Sequence, residues 1–150
     1  IFVCENNLYA THSHILKRQP SGLIAPRLAG YGVYAKTVDG NDVEAVYTEM
    51  LEMVSRVHIG GPFFLEAETY RLKEHWGPGE DWHLGYRSEA EGDEWKERCP
   101  IKQLRDKLFA SGVMETTLDA FTDQIDDEIT EAVKFAKESP EPEKEELLTW

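Results

Sequence analysis

Three short apolar runs, Ile1 to Cys4, Val33 to Val38 and Pro62 to Ala67, alternate with helical patterns along the first half of the chain. Each run is too short for a helix and is apolar at consecutive positions, as strands buried in a parallel sheet are. Parallel strands need a long crossover connection. The segment between the second and third runs supplies one. Val43, Val46, Tyr47, Met50, Met53, Val54 and Val57 follow the helical repeat from a cap at Asn41 or Asp42 to about His58. Asp39-Gly40 and Gly60-Gly61-Pro62 punctuate its two ends. Leu23 to Tyr31 reads as a short helix ended by Gly32. Strand, helix, strand, helix, strand predicts an α/β fold with a parallel sheet and crossover helices. The chain begins inside the first strand and without Met. The expectation is that an upstream segment has been removed or that the gene is a fragment.

Beyond Tyr70 the pattern changes. Residues 72–87 hold Gly77, Pro78, Gly79, Gly85 and three aromatics, and a loop this long in a compact domain is usually functional or disordered. Thr11 to Pro20 also reads as loop. Helices are expected around 88–97, 100–110 and 116–138, the last with an apolar stripe at Leu118, Phe121, Ile125, Ile129, Ala132 and Phe135. The expected organisation is an α/β portion at 1–71, the long loop at 72–87, a helical region at 88–138 and an acidic tail at 139–150 that is extended and solvated.

No apolar run approaches a membrane span, and the start lacks a signal pattern. The net charge of -13 argues against nucleic acid and anionic membranes, which select clustered Lys and Arg. Cys4 and Cys99 fit no zinc or redox spacing. Cys4 reads as a small buried hydrophobe, and a cytoplasmic location is expected.

The first candidate site is Glu5-Asn6-Asn7-Leu8-Tyr9, directly after the first strand. Open α/β sheets bind ligands at the C-terminal ends of their strands. An Asn side-chain oxygen and a backbone carbonyl are hard ligands suited to Mg²⁺. The alternative is that Asn-Asn only forms a turn. His12 and His14 could face one side of an extended segment, which permits a zinc site but supplies no third ligand; contact with substrate is the other reading.

Phe2-Val3-Cys4-Glu5-Asn6-Asn7-Leu8-Tyr9 resembles the closing half of the thiamine pyrophosphate motif, which starts with Gly-Asp-Gly and ends in Asn-Asn. Val38-Asp39-Gly40-Asn41-Asp42-Val43, Gly61-Pro62 leading to Leu65-Glu66-Ala67-Glu68-Thr69-Tyr70-Arg71, Tyr86-Arg87 and Pro100-Ile101 continue the match in order. Together these segments resemble the alpha subunit of thiamine-pyrophosphate-dependent 2-oxo acid dehydrogenase E1 components, of pyruvate, branched-chain or acetoin type, in its C-terminal portion. The resemblance covers residues 1 to about 110; the final helix and tail match in kind only.

The resemblance implies the C-terminal half of a thiamine pyrophosphate-binding fold. It implies that Asn7, through its side chain, and Tyr9, through its backbone carbonyl, bind Mg²⁺, and that Arg71 binds the cofactor diphosphate, as a forked guanidinium can. His75 matches a loop His that binds diphosphate or assists acyl transfer to a lipoyl group. Trp76 and Gly85 stand where mitochondrial members carry regulatory Ser, so phosphorylation at those positions is not available, and Lys73 also departs from the family pattern. Tyr86 and Arg87 are expected to order the loop. The implied reaction is oxidative decarboxylation of a 2-oxo acid with acyl transfer to the lipoyl domain of E2, in an assembly with an E1 beta subunit. The Gly-Asp-Gly half is not in this sequence, so the chain alone is expected to be inactive and to associate with itself through uncovered sheet edge and apolar surface. The rival reading is a non-catalytic interaction fragment.

Overall fold

A computed structural model describes residues 1–148; positions 149–150 of the expected tail lie outside the described residues. Two compact units divide the chain, residues 1–106 and 107–150.

The first unit is built on a three-stranded parallel sheet of β1 (Phe2–Asn6), β4 (Tyr34–Asp39) and β5 (Phe63–Glu68) in the order β1-β5-β4. The α/β parallel architecture read from the sequence is the one observed, and the last strand in sequence takes the middle place. Phe2 stands opposite Phe64, and Tyr34 opposite Phe63. Alternation along β5 sends Phe63, Leu65 and Ala67 to one face, where Phe63 and Leu65 form a core with Met53. Val46, Met50 and Val57 of α1 (Val43–Arg56) and Val38 of β4 pack around it. The cap of α1 is Asp42, whose side chain accepts from the N–H groups of Glu44 and Ala45. Asn41 instead is buried, donating to the Arg98 carbonyl at 2.8 Å and accepting from the Thr69 hydroxyl at 3.1 Å. At Gly40 a Cβ would meet the Glu68 carbonyl oxygen at 2.7 Å, so this turn admits no side chain.

The short helix expected over 23–31 is a 3-10 helix, Ala25–Tyr31, closed by Gly32 in the left-handed conformation. The segment read as loop over 11–20 contains structure. A small antiparallel ribbon joins β2 (Tyr9–Ala10) to β3 (Ser13–His14), and a 3-10 turn follows at Ile15–Lys17. Thr11 occupies the left-handed region at φ 53 in the ribbon's turn, a conformation that hydropathy does not signal.

The expectation that the first strand is buried requires correction. Phe2 is 63% and Val3 57% exposed, and Cys4 is only partly buried; Asn6 is the buried member of β1. β1 is an edge strand with one neighbour, so the described residues leave its start uncovered. Burial first, then the charges of Glu66 and Glu5, push the Cys4 thiol up, which keeps it in the unreactive protonated form.

The long loop leads to α2 (Glu89–Glu97) and α3 (Pro100–Ala110). In the second unit, α4 (Glu115–Glu138) carries the expected stripe, but only Leu118 is buried. Phe121, Ile125 and Ile129 are each more than half exposed. A 3-10 helix at Lys144–Leu148 replaces the fully extended tail expected there. No described helix is long and apolar enough to cross a membrane.

Candidate cofactor and cation site

The site grows from the C-terminal ends of β1 and β5. Asn6 and Asn7 form consecutive side-chain turns: Asn6 Oδ1 accepts from the Leu8 N–H at 3.1 Å and Asn7 Oδ1 from the Tyr9 N–H at 2.9 Å. They then diverge in role. Asn6 is buried and donates to the Gly22 carbonyl at 2.8 Å and to Glu66 Oε1 at 2.6 Å. Asn7 is partly exposed, and its oxygen keeps a free lone pair. Leu8 lies in the left-handed region at φ 67, and its carbonyl accepts from the Ile15 N–H at 2.7 Å. Non-Gly residues rarely take this conformation, and here the turn and the Ile15 bond enforce it.

Glu66, fully buried in the middle of β5, ties this turn to the fold. Besides Asn6, its carboxyl accepts from the N–H of Ile24 at 2.9 Å, the N–H of Ala25 at 2.7 Å and the Thr37 hydroxyl at 3.2 Å. Sequence reasoning gave Glu66 no role. The available signal was an acidic residue in the middle of the run Phe63-Phe64-Leu65-Glu66-Ala67, where an unpartnered carboxyl would be costly.

Three residues beyond β5 the chain reaches Arg71, whose Nη2 donates to the Thr11 carbonyl at 3.1 Å and to the Tyr86 hydroxyl at 2.9 Å. Its Nη1 is buried with no partner among the described residues. Tyr86 in turn donates to Asp81 Oδ2. Asp81 Oδ1 accepts from Arg87 Nε at 2.8 Å and Nη2 at 2.6 Å, and both side chains are fully buried. Arg87 also donates to the carbonyls of Arg71 and Lys73, and its guanidinium lies 4.4 Å from the centre of the Trp82 ring. Tyr86 and Arg87 therefore do order the loop, and Asp81, which sequence reasoning passed over, is the anion that joins them. Burial pushes the Asp81 carboxyl up, but hydrogen bonds from Tyr86 and Arg87 and the nearby guanidinium charges outweigh it and hold the carboxyl below the usual range. Arg71 is the second cation of the cluster, 3.9 Å from Asp81. Two guanidiniums thus face one carboxylate.

Aromatic rings join the two halves. Tyr9 packs edge-on against His14, Tyr70 and Tyr86, with ring centres 5.1, 6.3 and 5.5 Å away. His12 lies 4.7 Å from the Tyr86 ring and 5.4 Å from Trp76. His75 is exposed and its ring lies 5.9 Å from that of Trp76. His14 Nδ1 accepts from the Leu16 N–H at 3.2 Å. No group of three or more His, Cys, Asp or Glu side chains able to hold a metal occurs among the described residues. Asn7 and Tyr9, the residues expected to offer oxygens to a cation, lie together in this turn. A forked cation with an unpaired nitrogen beside hard oxygen ligands suits a phosphate-bearing ligand together with a divalent ion.

An α/β sheet with such a site at its strand ends is shared by many nucleotide and cofactor proteins, and the comparisons narrow it. Residues 1–145 match the family model described as dehydrogenase E1 component, and the chain belongs to that family. It is similar to the pyruvate dehydrogenase E1 component subunit alpha of Zymomonas mobilis, 38% identical over 99% of this chain and 42% of the relative. It is also similar to the mitochondrial 2-oxoisovalerate dehydrogenase subunit alpha of Homo sapiens, 37% identical over 95% of this chain and 32% of the relative. A third relative, the 3-methyl-2-oxobutanoate dehydrogenase subunit alpha of Mycobacterium tuberculosis, is 33% identical over 99% of this chain and 41% of its own length. The chain thus spans less than half the length of these relatives.

Proposed function

We propose that this chain supplies one side of a thiamine pyrophosphate and Mg²⁺ site in the alpha subunit of a 2-oxo acid dehydrogenase E1 component. The observation that carries this reading is Arg71: its Nη1 is buried without a partner among the described residues, and its nearest carboxylate, Asp81, is already engaged by Arg87 and Tyr86. A diphosphate supplies the missing acceptor. Asn7 and the Tyr9 carbonyl are the residues that hold the cation. Mg²⁺ takes about six oxygens, so the phosphates, water and residues outside this chain complete its shell. When bound, the cofactor supplies the electron sink for loss of CO₂ from the 2-oxo acid. This chain's residues bind and orient it, and the exposed His75 is the group available for diphosphate contact or for transfer of the acyl unit to a lipoyl group. The chain by itself is inactive. Its partners are an E1 beta subunit, a lipoyl domain of E2 and, through the uncovered face of β1, itself; its location is cytoplasmic.

The test is calorimetric titration of thiamine pyrophosphate with Mg²⁺ into the purified chain. Binding that is lost in Arg71→Ala and Asn7→Ala supports the reading. Binding that survives Arg71→Ala overturns the assignment of Arg71. Absence of binding by the unaltered chain means that the residues outside it are needed before the site can hold the cofactor.

A further inference from the structure

We infer that Glu91 is a positioning residue that aims the Tyr9 carbonyl at the cation, an inference that rests on the cation reading above. Glu91 lies in the first turn of α2, three residues after the N-cap Ser88. Ser-x-x-Glu at a helix start is a capping box, in which the Glu side chain normally turns back to the N–H of the cap residue. Only half of that box is made here: Ser88 accepts from the Glu91 N–H at 3.2 Å. The Glu91 carboxylate is diverted to the Tyr9 hydroxyl, whose oxygen stands 2.8 Å from Oε2 and 3.1 Å from Oε1.

The contact spans eighty-two residues and fixes the one residue of the cation turn that has a long rigid side chain. The Leu8–Tyr9 peptide is gripped twice, at its N–H by the Asn7 side chain and at its carbonyl by the Ile15 N–H, while Ala10, which shares the next peptide with the Tyr9 carbonyl, pairs with Ser13 in the ribbon. The ring itself is held by Tyr70, Tyr86 and His14. Phenol oxygen, ring and both flanking peptides are thus held together, and Glu91 supplies the side-chain anchor of the residue that carries the carbonyl. An outer-shell partner of this kind typically alters metal affinity about tenfold to a hundredfold. A Glu held only for helix capping would instead point back at Ser88.

The experiment uses the full chain with Mg²⁺ titrated in the presence of excess thiamine pyrophosphate. It also records the backbone amide resonance of Ala10, whose nitrogen shares its peptide bond with the Tyr9 carbonyl. Glu91→Leu and Tyr9→Phe are each expected to weaken Mg²⁺ binding about tenfold or more and to move the Ala10 signal. The double variant is expected to be no weaker than either single one, because both remove the same contact. Glu91→Gln, whose amide oxygen still accepts from the phenol, is expected to restore most of the affinity. Unchanged Mg²⁺ affinity in Glu91→Leu, with binding by the unaltered chain intact, overturns this inference alone. An unmoved Ala10 signal in both single variants overturns it as well, whatever the metal does. A moved Ala10 signal with no Mg²⁺ binding by the unaltered chain overturns the cation reading and reduces Glu91 to a fold contact.

Discussion

Gly92 lies directly against the indole of Trp82: a Cβ at position 92 would stand 2.3 Å from the ring carbon Cη2. A glycine inside a helix costs about 1 kcal/mol relative to alanine, so a helix rarely keeps one without a packing reason. Here the reason is that the ring, which carries Arg87 on its face, needs the space. Gly92→Ala gains helix propensity and loses the seat of Trp82. Overpacking costs about 1–3 kcal/mol, which outweighs the propensity gain. The expected outcome is a net loss of stability in urea denaturation and a blue or red displacement of the Trp emission; unchanged stability would show that the loop yields freely.

Asp81 is the next target. Removing one partner of a buried ion pair typically costs about 3–5 kcal/mol, because the other charge stays buried. Asp81→Ala therefore leaves Arg87 uncompensated and releases Tyr86. Proteolysis is expected to begin within residues 72–87 in this variant and not in the unaltered chain.

The same carboxyl sets a pH dependence. Its folded value lies below the unfolded one, about 3.9. A group shifted in this direction contributes stability that is fully present above the unfolded value and is lost as pH falls through the folded one. Loop order is expected to persist from neutral pH to about pH 4 and to fail below it. Asp81→Asn removes that acid-side loss, and near-ultraviolet circular dichroism across the range checks it. A loop that melts near pH 6 would contradict the assignment.

Glu66 anchors three segments that lie far apart in sequence. Glu66→Ala deprives Asn6, Ile24, Ala25 and Thr37 of their acceptor inside the fold. Each buried donor left unpaired costs about 1–3 kcal/mol, so the variant is expected not to fold stably. Glu66→Gln keeps the shape but turns one acceptor into a donor facing donors. It is expected to fold with loss of order at Asn6, measured by amide exchange of Leu8.

Association through β1 is open to direct measurement. Phe2 and Val3 expose apolar surface on an edge strand, which favours pairing with a second copy. Sedimentation is expected to show concentration-dependent association of the chain, reduced by Val3→Lys. A clean monomer at high concentration would remove self-association from the list of partners.

Much of the sheet is legible in the sequence because it rests on repetition. The apolar run at Phe63-Phe64-Leu65 and the helical spacing of Val46, Met50, Met53 and Val57 each mark an element and its buried side. Motif order likewise points to Asn7, Tyr9 and Arg71. The loop is different. Asp81 pairs with Arg87 across irregular backbone, where no period links the two positions, and only the fold reveals which carboxylate is buried. The exposed stripe of α4 marks another limit. Spacing identifies an apolar face but does not name what covers it.

The order of the sheet also bears on how the chain is made. Strand β5 stands between β1 and β4, and Asn6 meets Glu66 sixty residues further along. Neither outer strand touches the other in the ladder, so neither pairing can close until Phe63–Glu68 has left the ribosome. At roughly 5–20 residues per second the Asn6–Glu66 contact waits several seconds of synthesis. During that interval Val38 and Met53, which pack against Phe63 and Leu65 in the fold, are bare on a nascent chain, and a translational pause before residue 63 would lengthen the time in which a chaperone must hold them.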